Sequence, residues 1–363
     1  MRSNAYPLKP EERAVFALRS LYQSYGYSQF KMSKFEEYDL YVRNKDFLVS
    51  DGVITFTDTD GRLMALKPDV TLSIIKNSRD VPGMTQKLYY SENVYRISGS
   101  TRSFKEIMQT GLECIGDVDL YHLCEVIGLA AESLRLIDED YVLELSHMGV
   151  AAALVDELAL DAETQASVMT CIGEKNADGV RKLCPGRSVD GVLALIAAHG
   201  APEKVYAQLE PWCGGLAASA ALAELRQVTD SLAGAKVEID FSIVNDMNYY
   251  NGIVFRGYIN GIPSGVLSGG QYDQLMRRMG RGAKAVGFAI YLDLLERLVD
   301  AERPYDVDTV LLYDASADAR LLSAAVRALI ESGAGVAAMK AVPERLRYRR
   351  LLRFEDGEVT GND

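Results

Sequence analysis

The 363-residue chain is poor in the residues that build metal and disulfide sites. It has three histidines and five cysteines, and no two cysteines are spaced as Cys-x-x-Cys. Scattered cysteines in an odd number fit a reducing compartment better than a disulfide framework or a zinc site. We therefore expect a cytoplasmic protein with no metal ion and no cofactor, in which His122, His147 and His199 have structural roles.

Long apolar runs and positive charge are also scarce. Charged residues interrupt the hydrophobic segments, so no segment is predicted to cross a bilayer, and the first residues lack the apolar core of a signal peptide. Acidic residues outnumber basic ones by 51 to 39, which gives a formal net charge of −12. Nucleic-acid-binding proteins need a positive surface to neutralise phosphates, so we do not expect tRNA as a partner, although this total still allows a local basic patch.

The length predicts two or three domains. Helices and strands mix over residues 1–149 and 234–303, which predicts a discontinuous α+β core. Residues 150–233 are rich in alanine and leucine at helical spacing, which predicts a helical insertion into that core. After Pro304, an apolar strand, an alanine-rich helix and another strand predict a small β-α-β unit over 305–363.

Several local patterns give more detailed predictions. Apolar residues at helical spacing predict a helix over 8–26, and a strand is predicted over 27–36. Another strand is predicted over 237–243, where the chain returns from the insertion to the sheet. The basic run 344–350 is typical of a solvated helix face, with phosphate binding as the alternative.

Residues 241–255 indicate a binding site. They place two adjacent tyrosines and three amide side chains between two apolar runs. Polar side chains within strands cost free energy unless they contact a ligand or one another. Two glycine-marked segments, 267–274 and 285–295, follow. We therefore interpret this region as the floor of a small-molecule pocket.

Five motifs in order resemble the catalytic core of histidyl-tRNA synthetase, a class II aminoacyl-tRNA synthetase. The resemblance covers residues 10–298 and implies an antiparallel sheet flanked by helices, with motif 1 forming a homodimer. Helix 8–26 with Gly26-Tyr27 and Phe35-Glu36 is similar to motif 1, Tyr89–Arg96 with Gln109–Glu113 to motif 2, Asn248–Gly252 and Gly269–Asp273 to two histidine-specific signatures, and Gly287–Asp293 to motif 3.

Departures from the synthetase pattern indicate what this chain has lost. Where the family's pattern has a motif 1 proline and a motif 2 acid, this chain has Ser33 and Ser98. Where the pattern has three arginines, this chain has Asn245, Gln271 and Leu294. Arginine stabilises the negative charge that develops on the α-phosphate during activation, and each such group is worth about two to three orders of magnitude in rate. We therefore do not expect adenylate formation, although Arg297, about one helical turn past Leu294, is an alternative source of charge.

The chain keeps the residues that the resemblance assigns to the amino-acid end of the pocket. Asp69 and Thr71 match the segment that holds the α-amino group, and Gln109 and Glu113 match residues around the amino group and the imidazole. Tyr250 and Tyr272 match the aromatic and hydroxyl walls, with Tyr249 beside Tyr250. The predicted histidine-binding residues are Asp69, Thr71, Arg96, Gln109, Glu113, Tyr249, Tyr250 and Tyr272. The alternative is that these are inherited core residues without a ligand.

A synthetase core that keeps the histidine end of the pocket and loses the ATP-activating arginines resembles the ATP phosphoribosyltransferase regulatory subunit. The resemblance implies a non-catalytic subunit that assembles with a short-form catalytic subunit in the first step of histidine biosynthesis. It also implies L-histidine binding for feedback control, and a shortened anticodon-type unit over 305–363. Two alternatives stay open: a divergent histidyl-tRNA synthetase, and a synthetase-like amino-acid sensor in another pathway.

Overall fold

The computed structural model describes residues 9–45, 52–98, 101–243, 249–297 and 305–361. These residues belong to two compact units. The larger lies within Pro10–Leu298, and the smaller combines residues of Met1–Lys9 with residues of Val299–Asp363.

The larger unit contains most of the secondary structure. Its helices are α1 (Pro10–Ser24), α2 (Tyr38–Arg43), α3 (Thr71–Asn77), α4 (Leu120–Ile137), α5 (Met148–Asp156), α6 (Ala162–Gly173), α7 (Ala177–Leu183), α8 (Asp190–Ala197), α9 (Pro202–Leu209), α10 (Leu216–Ser231) and α11 (Asp273–Arg278). Its strands are β1 (Ser28–Gln29), β2 (Phe35–Glu37), β3 (Thr55–Thr57), β4 (Leu63–Leu66), β5 (Thr85–Ile97), β6 (Phe104–Gly116), β7 (Tyr141–His147), β8 (His199–Gly200), β9 (Val237–Asp240), β10 (Ile253–Ile259), β11 (Leu267–Gln271) and β12 (Lys284–Tyr291).

A nine-stranded sheet organises this unit, in the order β1-β5-β6-β12-β11-β10-β7-β9-β8. The pairs from β5 to β7 are all antiparallel. The predicted α+β class and antiparallel sheet are therefore confirmed, with one correction: β1 pairs with β5, and β7 with β9, in parallel. A separate three-stranded antiparallel sheet has the order β2-β4-β3.

Two hydrophobic clusters cover the faces of the large sheet. Tyr89 belongs to the cluster that contains α1 and α4, whereas Tyr90 belongs to the cluster that contains α3 and α11. Neighbouring residues of a strand point to opposite faces, so these two tyrosines mark the two sides of β5. The second face, which carries Tyr90, holds the cavity described below.

The helices α5 to α10 lie between β7 and β9 in the chain and share the first hydrophobic cluster with the sheet. His147 caps α5 by accepting a hydrogen bond from the Gly149 N–H at 3.0 Å. Its other ring nitrogen lies 2.8 Å from a carboxylate oxygen of Glu224 on α10. This buried histidine therefore fastens the inserted helices to the end of a sheet strand. No helix within the described ranges is long and apolar enough to cross a membrane.

Two predicted strands are corrected by the structure. Segment 27–36 forms two short strands, β1 and β2, because each pairs with a different sheet and the residues between them connect the two. The strand predicted over 237–243 ends at Asp240. The Asp240 side chain accepts a hydrogen bond from the Ser242 N–H at 2.8 Å, and Phe241–Ile243 forms a 3₁₀ turn. An aspartate that binds the backbone two residues on favours a turn over a continued strand.

The smaller unit contains β13 (Val307–Tyr313), α12 (Ala319–Glu331), β14 (Val336–Met339), β15 (Tyr348–Glu355) and β16 (Glu358–Thr360). Its sheet has the order β14-β13-β15-β16, with β13 parallel to both neighbours. The predicted β-α-β fragment is present, but the helix predicted for the basic run 344–350 is wrong. Its last residues begin β15, where Arg350 donates to the Thr309 hydroxyl at 2.7 Å. Pairing with β13 therefore makes residues 348–350 part of a strand and not of a helix.

Candidate ligand-binding site

A cavity of about 270 Å³ lies over the sheet face that carries Tyr90. Paired residues on β6, β12, β11 and β10 form two rows across that face, because residues opposite one another in antiparallel strands share a side. One row is Gly111, Ala289, Ser268 and Arg256, and the other is Glu113, Gly287, Gly270 and Val254. The small residues of these rows leave room above the sheet for a ligand.

Glu113 is the buried centre of one end of the cavity. Thr71 donates to one carboxylate oxygen at 2.8 Å, and the Tyr272 hydroxyl donates to the other at 2.6 Å. Burial nevertheless raises the pKa of Glu113 from 4.5 to about 8, against the opposing effect of these two hydrogen bonds. The raised pKa favours the protonated form of Glu113 at neutral pH.

Asp69 is a second buried carboxyl group at this end. It accepts a hydrogen bond from the Leu72 N–H at 2.8 Å, which fixes it at the start of α3. Burial raises its pKa, while the Leu72 N–H and the Arg96 guanidinium oppose the rise. Two carboxyl groups in one cavity make this end a site for a cationic group.

Aromatic rings form a wall beside the two carboxyl groups. The ring centroids of Tyr249 and Tyr250 are 4.7 Å apart, and those of Tyr249 and Tyr272 are 5.9 Å apart. Gly270 allows this arrangement, since a Cβ atom there would lie 2.7 Å from the Tyr250 ring. A glycine on the floor thus sets the position of an aromatic wall.

The remainder of the lining is polar and carries positive charge. Arg96 is anchored by a hydrogen bond from Nε to the Pro68 carbonyl at 2.9 Å, and Arg256 lies on β10. Tyr90 and Gln109 are buried residues that line the cavity. Buried polar groups are normally satisfied, so these two are candidates for contact with a ligand.

All eight residues predicted to bind histidine line this one cavity. Their convergence is a finding of the structure, whereas their role in binding histidine stays a prediction. The described departures from the synthetase pattern lie outside the lining. Ser33 is exposed, and the Ser98 hydroxyl accepts from the Thr101 N–H at 3.4 Å. Asn245 lies outside the described residues.

The other two departures are held by the protein itself. The side-chain oxygen of Gln271 accepts a hydrogen bond from the Ile253 N–H at 2.6 Å, which fixes the start of β10. Leu294 packs against the first hydrophobic cluster. Neither side chain therefore supplies charge to the cavity. The side chain of Arg297, the alternative source, is not among those that the structure describes.

Sequence reasoning did not name four polar residues of the lining as ligand contacts: Tyr90, Arg256, Ser268 and Tyr291, although Ser268 and Tyr291 lie in segments interpreted as the pocket floor. A signal existed for Arg256, because it is the one charged residue in the apolar strand Ile253–Ile259. The interpreted floor ended one residue earlier, at Phe255. The other three have common residue types for strands, and only the register between strands places them together. Within the described ranges, no group of three or more histidine, cysteine, aspartate or glutamate side chains could hold a metal ion.

The fold and its cavity define a class II aminoacyl-tRNA synthetase-like core. Residues 8–295 match the family model for histidyl-tRNA synthetase. The chain is 31% identical over 312 residues, 79% of its length, to the ATP phosphoribosyltransferase regulatory subunit of Moorella thermoacetica, of which the match covers 78%. This chain belongs to the histidyl-tRNA synthetase-like family of ATP phosphoribosyltransferase regulatory subunits, which confirms the resemblance drawn from its motifs.

Solved structures agree on the fold. An ATP phosphoribosyltransferase regulatory subunit/histidyl-tRNA synthetase from Bacillus halodurans is 22% identical, with a TM-score of 0.75 over 95% of this chain and 93% of that one. A chain of an ATP phosphoribosyl transferase complex from Thermotoga maritima is 24% identical, with a TM-score of 0.63 over 78% and 97% of the two chains.

The floor of the cavity gives a first prediction. A Cβ atom at position 287 would overlap the Glu113 carboxylate and crowd the Leu112 carbonyl. We expect Gly287→Ala to lower the free energy of unfolding by about 1–3 kcal/mol, because a packed interior resists added volume. Urea unfolding measures this change. The matched control is Gly282→Ala, whose Cβ meets nothing within 4 Å and which should change stability by less than about 0.5 kcal/mol. Equal effects of the two substitutions would contradict the tight floor.

The raised pKa of Glu113 gives a second prediction. Between its ordinary value of 4.5 and about 8, the folded protein holds a proton that the unfolded chain has released. The free energy of unfolding therefore falls as pH rises through this window. Glu113→Gln removes this cost, so we expect the variant to be more stable than the wild type at pH 8 by about 1–3 kcal/mol and similar near pH 5.

Urea unfolding between pH 5 and 9 measures this difference. The control is Glu139→Gln, which neutralises an exposed glutamate away from the cavity and should leave the wild-type pH profile unchanged. A Glu113→Gln variant that is less stable than the wild type across the whole range would show that the buried carboxylate stabilises the empty protein.

Proposed function

We propose that this chain is a regulatory subunit of ATP phosphoribosyltransferase that has no catalysis of its own. It binds L-histidine in the cavity and assembles with a short-form catalytic subunit. The observation that carries this proposal is the convergence of the eight predicted residues on one cavity with a buried acidic end. Membership of the regulatory-subunit family supports the partner.

The chemistry of the cavity suits a small amino acid with a ring. An ammonium group requires a buried acceptor, which Asp69 and Thr71 supply, and an imidazole requires fixed donors and acceptors. Glu113 and Tyr272 are held by a 2.6 Å hydrogen bond and offer such groups. The volume of about 270 Å³ lies just below the range of about 300–1,000 Å³ typical of small-molecule sites. One small ligand therefore fits better than an amino acid together with a nucleotide.

The side chains that stand where the synthetase pattern has catalytic arginines support the absence of catalysis. Gln271 carries no charge, and its amide oxygen is engaged by the backbone of β10. Leu294 is apolar and contacts the core. Stabilisation of a developing charge on a phosphate needs a preorganised cation at the reacting group, and these two side chains offer none.

Regulation requires that histidine bind two states of the complex with different affinity. The coupling free energy between allosteric sites is typically about 1–3 kcal/mol, or about 5–150-fold in affinity. The motif 1-like segment, α1 with β1 and β2, is proposed to form a homodimer within the hetero-oligomer. Phe16 on α1 and Phe35 on β2 are exposed and available for such a contact.

The test combines the purified chain with a short-form phosphoribosyltransferase and measures phosphoribosyl transfer to ATP. We expect the chain to raise the activity of the catalytic subunit and L-histidine to inhibit the complex. Glu113→Gln should weaken inhibition at least about tenfold while the complex still forms, because glutamine cannot form the carboxylate that a bound cation favours. Glu139→Gln is the matched control and should inhibit as the wild type does.

Two results would contradict the proposal. Histidine-dependent exchange of pyrophosphate into ATP by the chain alone would identify a divergent histidyl-tRNA synthetase. A chain that forms no complex with the short catalytic subunit, yet binds histidine, would indicate an amino-acid sensor in another pathway.

A further inference from the structure

Arg256 is a charged residue of the cavity whose role is assigned by no motif. It is the single charged residue of β10 and it lines the cavity together with Ser268 and Gly265. Its cross-strand neighbours are Glu144 on β7 and Ser268 on β11, and from Ser268 the floor row continues toward Ala289 and Gly111. Arg256 therefore stands at the end of the floor opposite to the strand that carries Glu113.

The path of the Arg256 side chain depends on a glycine. A Cβ atom at position 265 would lie 2.8 Å from Cγ and 2.9 Å from Cδ of Arg256. Real Cβ atoms do not approach other atoms so closely, so any other residue at position 265 would push the arginine stem aside. Close approach of this kind is a common reason for glycine in a folded chain. Gly265 thus permits the position of the arginine along the cavity.

The groups that face Arg256 engage it only in part. Burial raises the pKa of Tyr258, and Arg256 opposes that rise as a hydrogen-bond donor to its hydroxyl. Burial also raises the pKa of Glu144. The charges of Asp240 and Glu238 raise this pKa further, whereas those of Lys175 and Arg256 lower it. Arg256 forms no ion pair within the part of the chain that the structure describes. A guanidinium has five N–H donors, so donors remain for a ligand.

The spacing of the sheet relates the two ends of the cavity. β6 and β10 are separated by β12 and β11, so three strand spacings of about 4.8 Å place their backbones about 14 Å apart. The carboxyl side chain of Glu113 and the long side chain of Arg256 both rise from the same face and shorten this gap. One end of the cavity therefore holds the carboxyl groups of Glu113 and Asp69 with Arg96 beside them, and the opposite end holds Arg256, with room for a small zwitterion between the two ends.

We propose that Arg256 binds the α-carboxylate of the amino-acid ligand, while the acidic end binds its ammonium and ring. This inference rests on the proposed function, in which the ligand is L-histidine. An arginine matches a carboxylate because its donors form a planar fork with a permanent charge. In the synthetase pattern an arginine stands at the position of Asn245. In this chain Arg256 on β10 would supply the cation for the carboxylate instead.

The test compares two ligands that differ only in the carboxylate. L-Histidinol keeps the ammonium and the imidazole of L-histidine but carries a hydroxymethyl group instead of the carboxylate. Calorimetry with the full chain should show that the wild type binds histidine at least about 30-fold more tightly than histidinol, since a charged hydrogen-bonded pair is lost. In Arg256→Gln, histidine affinity should fall to about that of histidinol, and histidinol affinity should change less than about threefold.

Three further variants separate ligand recognition from structure. Arg256→Lys should recover part of the preference for histidine, because it restores the charge without the fork. Tyr258→Phe keeps the arginine but removes the hydroxyl beside it, so the preference should remain. Arg62→Gln neutralises an exposed arginine of the β3–β4 hairpin and controls for net charge; both affinities should match the wild type.

The possible failures are distinct. Equal losses for both ligands in Arg256→Gln would show that the arginine supports the fold of the site without reading the carboxylate. An unchanged preference for histidine in this variant would overturn the inference and leave the proposed function intact. If the wild type binds neither ligand, the proposed ligand is wrong and the inference falls with it.

Discussion

The burial of the Glu113 carboxyl group is the constraint on which the site depends. Its two oxygens accept hydrogen bonds from Thr71 and Tyr272, which come from segments far apart in the chain. The side chain also needs the open space above Gly287 on the neighbouring strand. A carboxyl group in this position costs stability unless a cation compensates it. The simplest explanation for its presence is a ligand that supplies the cation.

The rest of the cavity follows from the geometry of the sheet. Register across β6, β12, β11 and β10 brings small residues into rows and leaves longer side chains at both ends. The positive charges lie on β5 and β10, and the negative charges on β6 and just before α3. This arrangement places Arg96 beside the acidic groups, where it opposes the rise in the pKa of Asp69, and Arg256 at the other end of the floor. It allows one fold to serve either catalysis or ligand sensing, depending on which few side chains occupy it.

Much of the site could be predicted from the sequence because its polar residues fall within recognisable motifs. Glu113, Thr71 and Tyr272 were predicted because their positions match ligand-binding residues of the family that the chain resembles. Arg256 could not be found that way, because its place beside Ser268 is set by strand register. The end of β9 was also missed, since a side-chain hydrogen bond from Asp240 stops the strand. Contacts within a motif are thus visible in sequence, whereas contacts between strands appear only after folding.

Calorimetry of L-histidine binding at pH 7, in buffers with different heats of ionisation, measures whether Glu113 loses its proton to a bound cation. Burial raises the pKa of Glu113 to about 8, so we expect its carboxyl group to be mostly protonated at pH 7 before a ligand binds. A bound cation favours the ionised carboxylate, so binding should release protons to the buffer. We expect saturable binding to the wild type with proton release, and no such release for Glu113→Gln. Saturable binding with the same protonation change in both proteins would show that Glu113 does not ionise against the ligand, and the absence of binding to the wild type would show that L-histidine is not the ligand.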